Sequence, residues 1–153
     1  MRLVATLADL FVPYAAHHGM QMTFRVDPGT PGLTTCGRSL HWLLGNLLHN
    51  AVQHSQASMV VVLVAPIDAA RATAGIQFVV IDDGVGLDAT TQQTLRSMLC
   101  GQRAPDRSGL GSVARLAQAL GAHVSLDSEP ADGTTVTVNV PVKDCGLVGP
   151  ALP

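Results

Sequence analysis

The sequence predicts an α+β fold, a two-layer α/β sandwich whose single mixed sheet carries helices on one face. Three observations point there. The order of elements is helix, strand, helix, two strands, a lid-like segment, helix and hairpin, and one sheet covered on one side buries the apolar surface of all of them. The middle strands, SMVVVLVA (58–65) and IQFVVID (76–82), are β-branched apolar runs of strand length. With 153 residues, no internal repeat and no second set of apolar segments, the chain has room for one ordinary domain core.

Each element has a local reason. Residues 3–16 (LVATLADLFVPYAA) repeat apolar positions at helical spacing, and Pro13 is expected to kink or shorten that helix. MTFRV (22–26) alternates like a strand, and DPGTPG (27–32) is a loop by its Pro and Gly content. Ser39 is the expected N-cap of a helix running to about Ser55. A loop with Pro66 and Gly75 separates the two apolar strands. DATTQQTLRSML (88–99) is a weakly amphipathic helix or an ordered loop, and CGQRAPDRSG (100–109) is flexible by composition. GLGSVARLAQALG (109–121) is a helix with a glycine-rich start and Gly121 as C-cap. HVSLDS and TTVTVNVPV form a hairpin across ADG (131–133), an Asp-Gly turn signal. The domain is expected over 1–142, with 143–153 as a tail or linker.

Composition excludes several classes of function. Charged residues make up 13% and the net charge is −2, so neither a nucleic-acid footprint nor a polybasic membrane patch is expected. Cys36, Cys100 and Cys145 lack metal-ligand spacing, which suits plain thiols in a reducing compartment. The longest apolar run, Met59 to Ile67, is too short to span a bilayer and contains Pro66, and no signal peptide opens the chain. A cytoplasmic location without direct membrane contact follows as the expectation.

Three stretches carry chemistry. On a helical wheel Leu40, Leu44, Leu47, Leu48 and Ala51 fill one arc, and Asn46, His49, Asn50 and Gln53 fill the other, with His54 at its edge. Asparagine is a mediocre helix former, so an amide stripe suggests a purpose, and amide oxygens suit Mg²⁺. In VVIDDGVGLD (79–88) a buried strand ends at Asp82, whose carboxylate can accept from an exocyclic amine, and Gly84 and Gly86 permit close backbone approach. In RSGLGSVARLAQALG (107–121), Gly109 and Gly111 place bare N–H groups at a helix start, where phosphate is favoured. Taken singly, a solvated helix face, a strand exit and close helix packing would give the same patterns.

As an ordered set, followed by Gly133-Thr134 before the last strand, these stretches resemble the GHKL superfamily. The closest likeness is to the catalytic ATP-binding domain of bacterial sensor histidine kinases. NLLHNAVQHS (46–55) resembles that family's N box, DDGVG its first glycine box, SGLGSVARLAQALGA its second, and GTTVTVNVP its terminal hairpin, over roughly residues 3–142. The resemblance implies the Bergerat α/β sandwich, with ATP and Mg²⁺ as cofactors. It implies Asn46 and Asn50 as the catalytic pair and Asn50 as the metal ligand. Asp82 would recognise the adenine amino group, with Gly84 and Gly86 passing close to the base and Thr134 holding a water beside it. Ser108, Gly109, Leu110 and Gly111 would meet the phosphates, and Asn46, Gln53, His54 and Arg107 complete the implied binding set. Residues 88–108 would form the ATP lid.

Asn46 narrows the likeness further. In gyrase-, MutL- and HSP90-like ATPases a Glu at that position activates water, and anti-sigma-factor Ser/Thr kinases, an alternative reading that Asn46 disfavours, typically carry Glu there as well. Asn46 cannot act as a general base, which favours phosphoryl transfer to a protein acceptor over hydrolysis. The sequence also departs from the pattern. The usual N-box Lys is Gln53, the usual aromatic is His54, a box glycine is Arg107, and 95–102 shows no phenylalanine-rich box. These departures suit an alternative, a regulatory or scaffold module of the same fold that binds nucleotide poorly. Arg103 or Arg107 would take over the phosphate contacts of the missing lysine. None of the six histidines is followed by Asp or Glu, so the expected acceptor lies on a separate dimerisation domain of a larger parent protein. A response regulator is the implied downstream partner, whether or not the parent is membrane-anchored.

Overall fold

The computed structural model describes residues 2–30, 32–33, 37–67, 75–141 and 147–148. In chain order the elements are α1 (Arg2–His17), β1 (Gln21–Val26), β2 (Gly32–Leu33), α2 (Gly37–His54), β3 (Met59–Ile67), β4 (Gly75–Asp82), α3 (Ala89–Leu99), α4 (Gly109–Ala119), β5 (His123–Glu129), β6 (Gly133–Pro141) and β7 (Leu147–Val148). Five strands form one sheet in the order β1-β3-β4-β6-β5. The β1–β3 pair is parallel and the rest are antiparallel, so the sheet is mixed as expected.

Strand alternation decides which side is covered. Val60, Val62 and Val64 on β3, Ile76, Phe78 and Val80 on β4, and Val136, Val138 and Val140 on β6 are buried together. They share one core with Val4, Leu7, Phe11 and Ala15 of α1, the leucines of α2, and Val113 and Ala117 of α4. The intervening side chains, among them Val61, Leu63, Val79 and Ile81, are only half-buried. The α2 stripe is wider than the five residues of the predicted arc, because Leu43 and Val52 are buried as well.

Two prolines behave differently from expectation. Helix α1 runs through Pro13 to His17. Pro13 sits on the exposed face, and the carbonyl it leaves unpaired belongs to the exposed Asp9, within reach of water. β3 likewise continues past Ala65 through Pro66. The carbonyl of Val64 faces β1, accepting from the Asp27 N–H at 2.8 Å, so the nitrogen of Pro66 faces that side too. Pairing with β1 has ended by then, at Val26 with Val64, and no ladder bond is lost.

Other boundaries shift by a residue or two. Helix α2 begins at Gly37, ahead of Ser39, and α4 ends at Ala119 with Leu120 as its C-cap and Gly121 following at φ +59°. The 88–99 segment is a helix, α3, capped by Asp88, whose carboxylate accepts from the Thr91 N–H at 3.0 Å. Leu95 and Met98 are buried against β5 and α4, so the irregular part of the expected lid is confined to 100–108. Leu147 and Val148, within the expected tail, pair with Gly32 and Leu33 in a small second sheet. The remaining tail residues, Cys36 and Cys145 lie outside the described residues; Cys100 is an exposed free thiol.

Candidate functional site

The C-terminal half of α2, the end of β4, the start of β6 and the N-terminus of α4 surround a cavity of about 310 Å³. Its walls are apolar, from Leu47, Ala51, Val80, Leu110, Leu126 and Val136, and a few polar groups converge on it. This is the usual make-up of a small-molecule site.

Asp82 is the acidic group of the cavity. It ends β4 opposite Thr134 of β6, and it is only 8% exposed. Its Oδ1 accepts from the Gly84 N–H at 3.0 Å. Burial holds the carboxyl above the ordinary carboxylate range; the Gly84 and Thr134 N–H groups pull it down, and the neighbouring Asp83 charge adds to the rise. Asp83 points the other way. Its carboxylate accepts from the N–H groups of Ser58 and Met59, each at 2.8 Å, and from the Ser58 hydroxyl at 2.5 Å. The two adjacent acids therefore divide between the cavity and the start of β3.

The glycines beside Asp82 are required by close backbone contact. A methyl group on Gly84 would lie 2.1 Å from the Ser55 carbonyl oxygen, and one on Gly86 would lie 2.0 Å from that of Glu129. Gly86 also has φ +69°, a left-handed conformation that favours glycine. Val85 donates to the Ser55 carbonyl at 2.8 Å, which fastens this loop beneath the end of α2.

Thr134 reaches the cavity beside Ser128. The Ser128 hydroxyl donates to the Gly133 carbonyl at 2.9 Å and accepts from the Leu87 N–H at 2.9 Å. With its proton so engaged, Ser128 is the acceptor in the 3.1 Å pair with Thr134, and the Thr134 oxygen keeps a lone pair to offer. At the opposite end Ser108 caps α4, accepting from the Gly111 N–H at 3.0 Å, while Gly109 and Leu110 line the cavity at the helix start. There the Asn50 amide packs on Gly109, and its Nδ2 is buried with no hydrogen-bond partner.

Of the residues singled out in the sequence, Asn50, His54, Asp82, Gly86, Ser108, Gly109, Leu110 and Thr134 line the cavity. Gly84 and Gly111 shape it from behind, as buried backbone. Three lie elsewhere. Asn46 donates from Nδ2 to the Trp42 carbonyl at 2.7 Å and borders a separate groove with Leu10, Phe11 and Trp42. Gln53 is exposed and turns to α1, where it meets the Tyr14 hydroxyl and, at 3.2 Å, the His18 Nε2. Arg107 is exposed outside the lining. Among the described residues no Lys or Arg lines the cavity.

Sequence reasoning passed over Ser55, Leu87, Thr91 and Ser128. Only Ser128 left a usable signal: it follows Val124 and Leu126 at a spacing of two, a polar residue on the inward face of its strand.

The donor set fits a magnesium–phosphate ligand. Mg²⁺ retains waters and phosphate oxygens and needs few protein donors, and the Asn50 amide oxygen is one suitable donor. The partnerless Nδ2 marks an amide not consumed by the fold. Among the described residues no three His, Cys, Asp or Glu side chains form a metal cage, and no helix is long and apolar enough to cross a membrane.

Comparison with known proteins places this geometry. The family model for histidine kinase-, DNA gyrase B-, and HSP90-like ATPase matches residues 36–144. No curated protein sequence matches the chain. Among solved structures, full-length ShkA in complex with AMPPNP is similar with a TM-score of 0.73 and 25% identity, over 99% of this chain and 30% of that one. The histidine kinase domain of a blue-light-activated histidine kinase from Erythrobacter litoralis is similar at 0.63 and 20% identity, over 91% of this chain and 59% of that one. A longer structure of the Erythrobacter litoralis kinase gives 0.60 and 20%, covering 90% and 40%. The chain thus spans less than two thirds of each of these proteins.

Proposed function

Because the chain belongs to the family of histidine kinase-, DNA gyrase B- and HSP90-like ATPases, we propose that it is the ATP-binding catalytic domain of a sensor histidine kinase. The observation that carries this reading is the placement of Asp82 and Asn50 in one apolar cavity that opens on the N-terminus of α4. The buried Asp82 carboxylate accepts from the adenine amino group, with Thr134 as a neighbouring acceptor. The base lies among Val80, Leu126 and Val136. The phosphates meet the N–H groups of Gly109 and Leu110, where unpaired donors and the helix dipole favour anions. Asn50 would supply an oxygen to Mg²⁺, which when bound would neutralise charge on the phosphates. This domain contributes positioning and charge neutralisation, and the γ-phosphoryl passes to a histidine on a separate dimerisation domain of the parent. From there it goes to an aspartate of a response regulator, in the cytoplasm.

A second reading keeps the fold and drops efficient catalysis. Gln53 is engaged with Tyr14 and His18, and among the described residues no Lys or Arg lines the cavity. Both features suit a regulatory module that binds nucleotide poorly. Calorimetry with ATP, with and without Mg²⁺, separates the two. Micromolar-range binding that Asp82→Asn abolishes supports the kinase reading, and no binding by the folded wild type supports the regulatory one. Labelled phosphate appearing on an added His-bearing helical hairpin would establish the transfer.

A further inference from the structure

A carboxylate of the lid lies against the start of α4. Asp106 Oδ1 accepts from the Ser108 N–H at 2.9 Å and from the Ser108 hydroxyl, while the Asp106 carbonyl accepts from Arg115. Arg115 also donates to the Ser112 hydroxyl at 2.8 Å, so the end of the lid is clasped to the first turn of α4 from both sides. Gly111 makes room for the clasp, since a methyl group there would lie 2.3 Å from the Asp106 carbonyl oxygen and 2.5 Å from Oδ1. The Ser108 hydrogen bonds hold this carboxyl below the usual range, with Arg103 and Arg115 contributing. A permanent negative charge therefore sits at the positive end of the helix that borders the cavity, and in the same cavity the Asn50 amide nitrogen is buried without a partner.

We propose that Asp106 is an internal counter-anion, which occupies the α4 N-terminus in the nucleotide-free protein and competes there with the phosphates of ATP, thereby setting nucleotide affinity. This rests on the reading of the cavity as an ATP site. In the free protein Asp106 holds the end of the lid through Ser108 and, by its backbone carbonyl, through Arg115. When nucleotide enters, its phosphates become the preferred anion for the helix start. Asp106 is a positioning residue and touches no reacting atom.

The test is calorimetric titration of the chain with ATP, ADP and adenosine, comparing wild type with Asp106→Asn and Asp106→Glu at low and high salt. The amide in Asp106→Asn can still accept from Ser108, so the clasp geometry survives while the charge is lost. We expect Asp106→Asn to bind ATP about twofold to fivefold more tightly at low salt, the range one exposed charge at a helix N-terminus commands. The gain should be smaller for ADP, absent for adenosine, reduced by salt and absent in Asp106→Glu. Unchanged or weaker ATP binding by Asp106→Asn, with adenosine binding intact, overturns the counter-anion role and leaves the ATP site standing. A wild type and a variant that both ignore adenosine and ATP overturn the ATP reading, and this proposal with it.

Discussion

The side chain of Asn50 and the backbone of Gly109 are in such close contact that a methyl group at 109 would lie 2.8 Å from Asn50 Oδ1 and 3.2 Å from Nδ2. The contact ties the C-terminal part of α2 to the start of α4 and leaves Nδ2 buried without a partner. A buried, unpaired donor costs about 1–3 kcal/mol. Asn50→Ala should therefore leave stability unchanged or raise it by about 1 kcal/mol, while ATP affinity in Mg²⁺ falls at least about tenfold, a loss of about 1.4 kcal/mol. Chemical denaturation and calorimetry on one preparation check both halves. A variant that loses stability along with affinity would mean that Asn50 is structural.

Asp82 carries the same trade, with a pH dependence. Its folded-state pKa is raised, chiefly by burial, so the folded protein binds the proton more tightly than the unfolded chain. Stability from this group is present below the ordinary value of 3.8 and is lost as pH rises through the folded value. Asp82→Asn should thus be more stable than wild type at pH 7, with the gap closing as the pH falls toward 3.8, and should lose adenine binding. Melting temperatures measured across that pH range give the sign directly.

Asp83 titrates the other way. The Ser58 hydroxyl, the Met59 N–H and the Ser58 N–H lower its pKa, so its contribution is present above 3.8 and disappears as pH falls through the depressed folded value. Asp83→Ala should destabilise the protein at neutral pH by about 1 kcal/mol, the scale of exposed charge-assisted hydrogen bonds, and leave ATP affinity within about twofold. Equal acid unfolding curves for the two proteins would refute the linkage.

Gly86→Ala meets both a left-handed φ and the Glu129 carbonyl at 2.0 Å. Neither can relax without moving the turn between β5 and β6, so a loss of about 2 kcal/mol or more is expected in urea titrations. Nucleotide binding should fall with it.

Asn46 lies outside the cavity, with its amide on the Trp42 carbonyl. Asn46→Ala should keep ATP affinity within about twofold and add about 0.5 kcal/mol of helix stability. A tenfold affinity loss in calorimetry would return Asn46 to the site.

Much of this site was legible before any coordinates. Asp82, Gly86, Gly109 and Thr134 stand out because backbone chemistry singles them out locally: a strand end, a left-handed turn, a helix start. Gln53 and Arg107 were harder, because a long side chain on a helix end or loop can turn either way. Gln53 found Tyr14 on α1 and His18 just beyond it, 39 and 35 residues away in sequence. Pro13 and Pro66 misled at element boundaries for a related reason. Whether a missing N–H matters depends on what lies opposite it, an exposed flank for one and the end of a neighbouring strand for the other.

The sequence by itself determined the five long strands, helices α1, α2 and α4 and the apolar stripe of α2, because periods of two and of three to four residues follow from backbone geometry alone. Only the tertiary structure turned Asp83 to Ser58 while Asp82 faces the cavity, since that depends on which side of β4 the helices cover. It likewise decided that Ser128 supports Thr134, and that Asp106 reaches the start of α4. Those relationships join β5 to β6 and the lid to a helix, and pairing register and packing create them where no local pattern can.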